Sequence, residues 1–216
     1  MEGAMKQAFQ FVNNLYKRLT RTKRRRVILS VAIIFILGVI AIMQNMPTII
    51  NPGAYKPLLN VIAKGESGGN YNAYFGNGGN TEITFTEMTI GEVLKWQEDY
   101  VRQGKASNAV GKYQFMGTTL AGLIREQRIS PTAIFDEAMQ DRLAIALIDR
   151  HGAVAFAEKK ITREQFAYNL SQEWAALPRV AGERPTESYY AGDGLNEAKI
   201  TIDQILGAIN EFEKLK

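Results

Sequence analysis

Residues 63–74 read AKGESGGNYNAY, and how this stretch is read decides the rest of the chain. One acid, Glu66, stands among Gly65, Gly68 and Gly69, directly after Leu58, Leu59, Ile62 and Ala63. Those apolar positions recur at helical spacing, so a helix is predicted from Tyr55 to about Gly65, stopped by the glycines. Glu66 then sits at a helix C-terminus, at a mouth rather than on a solvated face. The helix dipole is unfavourable to a carboxylate there and raises its affinity for a proton.

The stretch after Glu66 reads as a short hairpin. NGGN (Asn77–Asn80) is a turn signal, and TEITFT alternates apolar Ile83 and Phe85 with polar neighbours. Helices follow, marked by their start signals: TIGE (Thr89–Glu92), Asp136, TREQ (Thr162–Gln165) and TIDQ (Thr201–Gln204). The helix opened by Asp136 is expected to run to Arg150, and the one opened by TREQ to end near Leu177 and Pro178. The fold class expected is α+β and mainly helical, with one small β-hairpin.

Upstream the composition changes. Residues 1–26 carry eight basic side chains against Glu2 alone, a net +7, which leaves the rest of the chain near −3. A body of that charge does not suit a nucleic-acid partner, whose phosphates need a basic face. VILSVAIIFILGVIAIM (Val27–Met43) follows, and no charged residue occurs before Lys56. Seventeen residues cover about 26 Å as a helix, so with flanking residues a transmembrane anchor over 27–46 is expected. RTKRRR at its front edge would place the N-terminus in the cytoplasm and the remainder on the periplasmic, cell-wall side. Met5, Phe9, Val12, Tyr16 and Leu19 would form an apolar stripe on a helix in the tail. The organisation expected is a basic tail (1–26), a single-pass anchor (27–46) contacting membrane lipid, a linker (47–54) and one domain (55–216).

The chain has no cysteine and one histidine, His151. A thiol nucleophile, a thiolate metal site and a histidine-rich metal site are therefore excluded, and neither metal nor cofactor is expected. IDRHG places His151 at a helix end. The chemistry left is that of carboxylates. A lone Glu beside a hairpin suits cleavage of a glycosidic bond, whose oxygen leaves only when protonated. That requires a carboxylic acid kept neutral near pH 7 by apolar surroundings and the lack of a nearby cation. Hydrolysis ordinarily needs a second carboxylate; Glu82, Glu87 and Asp99 are within sequence reach, with Glu82 and Glu87 the candidates. The alternative is a substrate that supplies its own nucleophile: in peptidoglycan the 6-hydroxyl of N-acetylmuramic acid can close on C1, giving a 1,6-anhydro sugar.

GESGGNYNAY, TEMTIGEVLKWQ, AVGKYQFMGTTL, DEAMQDRLAIALIDR and SQEWAALPR occur in this order between Tyr55 and Arg179. This series resembles the phage-lambda-type lysozymes, the muramidase-like endolysins that group with the lytic transglycosylases. The resemblance implies a lysozyme-like domain cutting the β-1,4 bond between N-acetylmuramic acid and N-acetylglucosamine in peptidoglycan. By the same resemblance Glu66 would be the catalytic acid and Ser67 would help orient its carboxylate, while Tyr113 and Gln114 would line the cleft and bind substrate. Tyr189, beside Tyr190, is a further substrate-binding candidate as a lip over the sugar chain. Trp174, spaced with Phe166 and Leu170, reads as core. The resemblance also implies a phage protein acting in host lysis or in wall opening during genome delivery, with other phage membrane or virion proteins as partners and the virion membrane as a second location. The rival reading is a non-catalytic glycan-binding or assembly module with the same fold.

Overall fold

The computed structural model describes residues 2–19, 23–44 and 48–216, and the chain divides into two units, Met1–Pro47 and Thr48–Lys216. The first unit holds two helices, α1 (Glu2–Leu19) and α2 (Lys23–Gln44). Phe9 and Val12 of the expected stripe are exposed on α1, as are Phe11 and Leu15. Among the described residues no helix is long and apolar enough to cross a membrane. This overturns the expected anchor, the single-pass location and the cytoplasmic N-terminus inferred from it. The physical reason lies in α2 itself. Its first turn is Lys23, Arg24, Arg25 and Arg26, so the apolar run begins a turn late and its roughly 26 Å falls short of a bilayer core of about 30 Å.

The second unit is helical. A 3-10 turn (Pro52–Tyr55), with the Asn51 side chain accepting from Gly53 N at 2.9 Å, leads into α3 (Lys56–Glu66). Then come α4 (Ile90–Arg102), α5 (Gly117–Glu126), α6 (Glu137–Arg150), the short α7 (Ala153–Ala157), α8 (Arg163–Ser171) and α9 (Ile202–Leu215). The start signals operate as expected: Thr89–Glu92 and Thr201–Gln204 form full capping boxes, and Asp136 and Thr162 accept the amides of Met139 and Gln165. α3 packs on α9 and α6, and α8 packs on α9. Leu58 and Ile62 of α3, Leu143 of α6, Phe166 and Leu170 of α8, and Ile209 and Phe212 of α9 are fully buried where they meet. Each such side chain contributes about 1.5–3 kcal/mol, which is what holds α3 and its terminal acid in place.

The expected hairpin does not form. Among the described residues strand pairing is confined to isolated bridges, such as Tyr74 with Asn77 and Tyr74 with Val110, so the α+β expectation becomes a helical fold. Asparagine side chains have taken the place of a partner strand. Asn80, 3% exposed, donates Nδ2 to Asn72 O at 2.6 Å and Ile83 O at 2.7 Å, and its Oδ1 accepts from the amides of Glu82 and Ile83. Asn72 Oδ1 accepts from Thr86 N, and Asn70 Nδ2 donates to the carbonyls of Gly78 and Asn80. With its backbone groups satisfied in this way the loop has no need of a ladder. Phe85 turns inward on a 3-10 turn (Phe85–Glu87), edge-on to Tyr74 and Trp96.

A second departure matters more for the site. α8 ends at Ser171, not near Leu177. The chain then folds back through Trp174 N to Leu170 O and Leu177 N to Trp174 O. In a continued helix the Ala176 amide would be spent on a carbonyl four residues earlier; here it is free to point elsewhere.

Candidate active site

Glu66 is the last residue of α3, and Gly65 lets two other segments close on it. A Cβ at Gly65 would stand 2.8 Å from Ala176 Cβ and 2.8 Å from Ile200 Cγ1, closer than side-chain carbons tolerate. The freed Ala176 amide donates to Glu66 Oε1 at 3.0 Å. On its other side the Ala176 carbonyl accepts from Lys199 N at 2.9 Å and Ile200 N at 3.1 Å. Three stretches far apart in sequence thus meet at one carboxyl group.

That carboxyl is enclosed although Glu66 as a residue keeps some exposed surface. Burial is the dominant cause that pushes it up to about 7; the Ala176 amide and the charge of Lys199 oppose the rise. Loss of solvation, rather than the helix end by itself, makes this an unusual acid. The expected lack of a nearby cation does not hold, because Lys199 supplies one. Gly65→Ala is expected to cost about 1–3 kcal/mol by overpacking and to pull the Ala176 amide off Glu66. Urea unfolding together with the amide proton shift of Ala176 would show both; an unchanged midpoint would mean that the approach is looser than described.

Ser67 lies at the edge of this site but does not reach for the carboxylate. Its Oγ donates to Lys112 O at 2.7 Å and accepts from Gly69 N, so it ties the end of α3 to the loop carrying Tyr113 and Gln114. Tyr113 is 1% exposed; its hydroxyl donates to Asp141 Oδ1 at 2.6 Å and its carbonyl accepts from Trp174 Nε1 at 3.2 Å. It offers no ring face to a ligand and instead fixes the loop to α6 and to the chain beyond α8. Trp174 is core, as its spacing suggested. Gln114 is part-buried in the left-handed region (φ 49°), with Nε2 donating to Gly111 O at 2.9 Å. This strained position holds the amide group at the loop tip.

Tyr189 is exposed, edge-on to Tyr168 and Tyr190, with the Arg179 guanidinium 5.6 Å above its ring. Its segment returns beside the Ala176 stretch through the bridge of Pro178 with Ser188. Glu82 and Glu87 are both exposed on the asparagine-held loop, and the nearest polar contact of Glu87 is Thr84 Oγ1 at 3.3 Å. Neither forms a hydrogen bond with Glu66. His151 closes α6 and pairs Nε2 with Glu173 Oε2 at 2.9 Å, which commits it away from the acid. Among the described residues no group of carboxylates and histidine is arranged to hold a metal ion.

Two contributors escaped the sequence reading. The Ala176 amide has no side-chain signature, and only the small residue type, in AALP, hints at a close approach. Lys199 lies in a stretch without a motif. No curated protein and no solved structure matches the chain. The sequence profile of the Endolysin family, however, matches residues 56–192, well over half of the chain and the whole run from α3 to the tyrosine lip. With an enclosed carboxylic acid at the end of α3 and that match, the chain belongs to the endolysin family, the phage enzymes that degrade peptidoglycan.

Proposed function

We propose that the protein cuts the β-1,4 bond between N-acetylmuramic acid and N-acetylglucosamine by lytic transglycosylation, with Glu66 as both acid and base. The observation that supports this reading is a single enclosed carboxyl at the end of α3, held by the Ala176 amide and pushed up to about 7 by burial, while Glu82 and Glu87 lie exposed on the asparagine-held loop. Protonated Glu66 gives its proton to the glycosidic oxygen as the bond to C1 breaks. The carboxylate left behind takes the proton of the muramic 6-hydroxyl as that oxygen closes on C1. The bond count balances without water, the product is a 1,6-anhydro sugar, and Glu66 returns protonated. A hydrolase would use a second carboxylate to activate a water opposite the acid, and the candidates Glu82 and Glu87, exposed on their loop, make no hydrogen bond to Glu66.

Gln114 is the candidate for an N-acetyl group, and Tyr189 for a sugar face at the lip. The test is digestion of purified peptidoglycan by the full chain with mass spectrometry of the fragments. Ends in 1,6-anhydro-muramic acid are expected; reducing ends would replace the transglycosylase by a hydrolase, and intact strands would favour the glycan-binding module. Because the acid must begin protonated, turnover is expected to decline as pH rises through about 7. A profile flat from pH 6 to 9 would remove Glu66 from the rate-limiting proton transfer.

A further inference from the structure

We propose that Gln140 and Asp141, consecutive residues of α6, are positioning residues of the active site: they hold the stretch that follows Glu66 and the loop that leads to Gln114 in one fixed relation. The inference rests on the reading of Gln114 as a sugar contact and goes beyond it, to two residues of a neighbouring helix.

The geometry is that of a clasp with two prongs. Gln140 is fully buried; its Oε1 accepts from Lys112 N at 2.9 Å, and its Nε2 donates to Tyr71 O and Phe135 O, both at 3.1 Å. Asp141 lies at the rim, where its Oδ1 accepts from the Tyr113 hydroxyl at 2.6 Å and from the Tyr71 hydroxyl at 2.9 Å. Each of the two residues before Gln114 is thus held by its own residue of α6, and both prongs also hold Tyr71, just beyond Glu66. Gly111 permits the close approach, because a Cβ there would collide with Gln140 Oε1. Lys112 adds a crosspiece, its Nζ donating to the Tyr71 hydroxyl at 2.9 Å. Farther from the acid the two segments are joined by backbone alone, through Gly111 N to Ala73 O at 2.7 Å and the bridge of Tyr74 with Val110. Nearer the acid the ties are Ser67 Oγ to Lys112 O and the two side chains of α6.

A sugar contact at Gln114 is useful only if its amide stands at a fixed place relative to the acid. The φ of 49° at Gln114 is one that a free loop seldom keeps. Lys112 and Tyr113 are pinned to α6 ahead of it. Phe115 is pinned behind it, by Gln97 Nε2 on its carbonyl at 2.8 Å and by backbone pairing with Val110. Hydrogen bonds from a buried amide and a rim carboxylate are directional, so they set the loop tip before substrate arrives. Binding then spends little free energy on ordering it.

The test is a double-mutant cycle on the full chain, carried in Glu66→Gln so that no strand is cut, with affinity for soluble glycan strands read by calorimetry. Gln114→Ala, Gln140→Met and Asp141→Ala are each expected to weaken binding roughly two- to tenfold, the worth of one neutral hydrogen bond. Joined to Gln114→Ala, neither α6 substitution should weaken it further, because the contact they position is already gone. Losses that add instead overturn the proposal. Asp141→Ala, at the rim, keeps the test available where Gln140→Met does not fold. Asp141→Asn retains an acceptor for both tyrosine hydroxyls and should bind as the parent does; an asparagine variant as weak as the alanine one overturns the proposal as well. If Gln114→Ala leaves affinity unchanged, the reading of Gln114 as a sugar contact fails. The amide proton shifts of Lys112 and Gln114 then decide the rest: displaced in Asp141→Ala they uphold the positioning of the loop, and unmoved they overturn it.

Discussion

Glu66→Gln is expected to cut turnover on purified peptidoglycan by about 10²–10⁴-fold while leaving the fold intact, the range that positioned proton transfer supplies. Glutamine keeps the shape and can still accept the Ala176 amide, but it has no proton to give. The same substitution should stabilise the protein at high pH. Glu66 binds its proton more tightly in the folded chain, at about 7, than in the unfolded one, at 4.5. Its contribution to stability is therefore complete below about 4.5, is lost as pH rises to about 7, and stays lost above. The loss amounts to roughly 3 kcal/mol. Thermal unfolding of the two proteins at pH 5 and pH 8 would reveal it: the variant should gain on the wild type between the two. An inactive variant without that gain would mean a catalytic carboxyl left in contact with water; a stable and fully active one would remove Glu66 from the chemistry.

The second large effect falls on stability. Asn80→Ala removes all four hydrogen bonds made by that side chain and leaves the carbonyls of Asn72 and Ile83 and the amides of Glu82 and Ile83 short of partners inside the loop. A cost of roughly 2–4 kcal/mol is expected in urea unfolding. Asn80→Asp should do no better, because a carboxylate accepts from the two amides but cannot donate to the two carbonyls. A loss below about 1 kcal/mol for both would show that other contacts hold the loop.

The asparagines also mark where the sequence misleads. Ile83 and Phe85 alternate with polar neighbours as in a strand, and periodicity carries no sign that Asn70, Asn72 and Asn80 will take up the backbone groups first. Capping signals fared better, because a side chain three residues from the amide it caps is a local fact that tertiary contacts seldom overrule. The helix end at Glu66 was legible for the same reason. The end of α8 was not: Phe166, Leu170 and Trp174 keep helical spacing even though the chain leaves the helix after Ser171. Residue type could not separate Tyr113 as a buried strut from Tyr113 as a cleft wall. Nor could it find the Ala176 amide or Lys199, since their bearing on Glu66 depends on closures of more than a hundred residues.

Those closures have a consequence for the newly made protein. Glu66 leaves the ribosome first, the Ala176 stretch much later, and Lys199 and α9 later still. Until they arrive nothing encloses the carboxyl, and a glutamate in water is ionised at neutral pH and has no proton to donate. On the proposed mechanism the nascent chain cannot cut glycan until the Ala176 stretch has closed on Glu66. A stalled chain ending before Ala176 should be as inert as Glu66→Gln, although it already contains every residue of the GES motif.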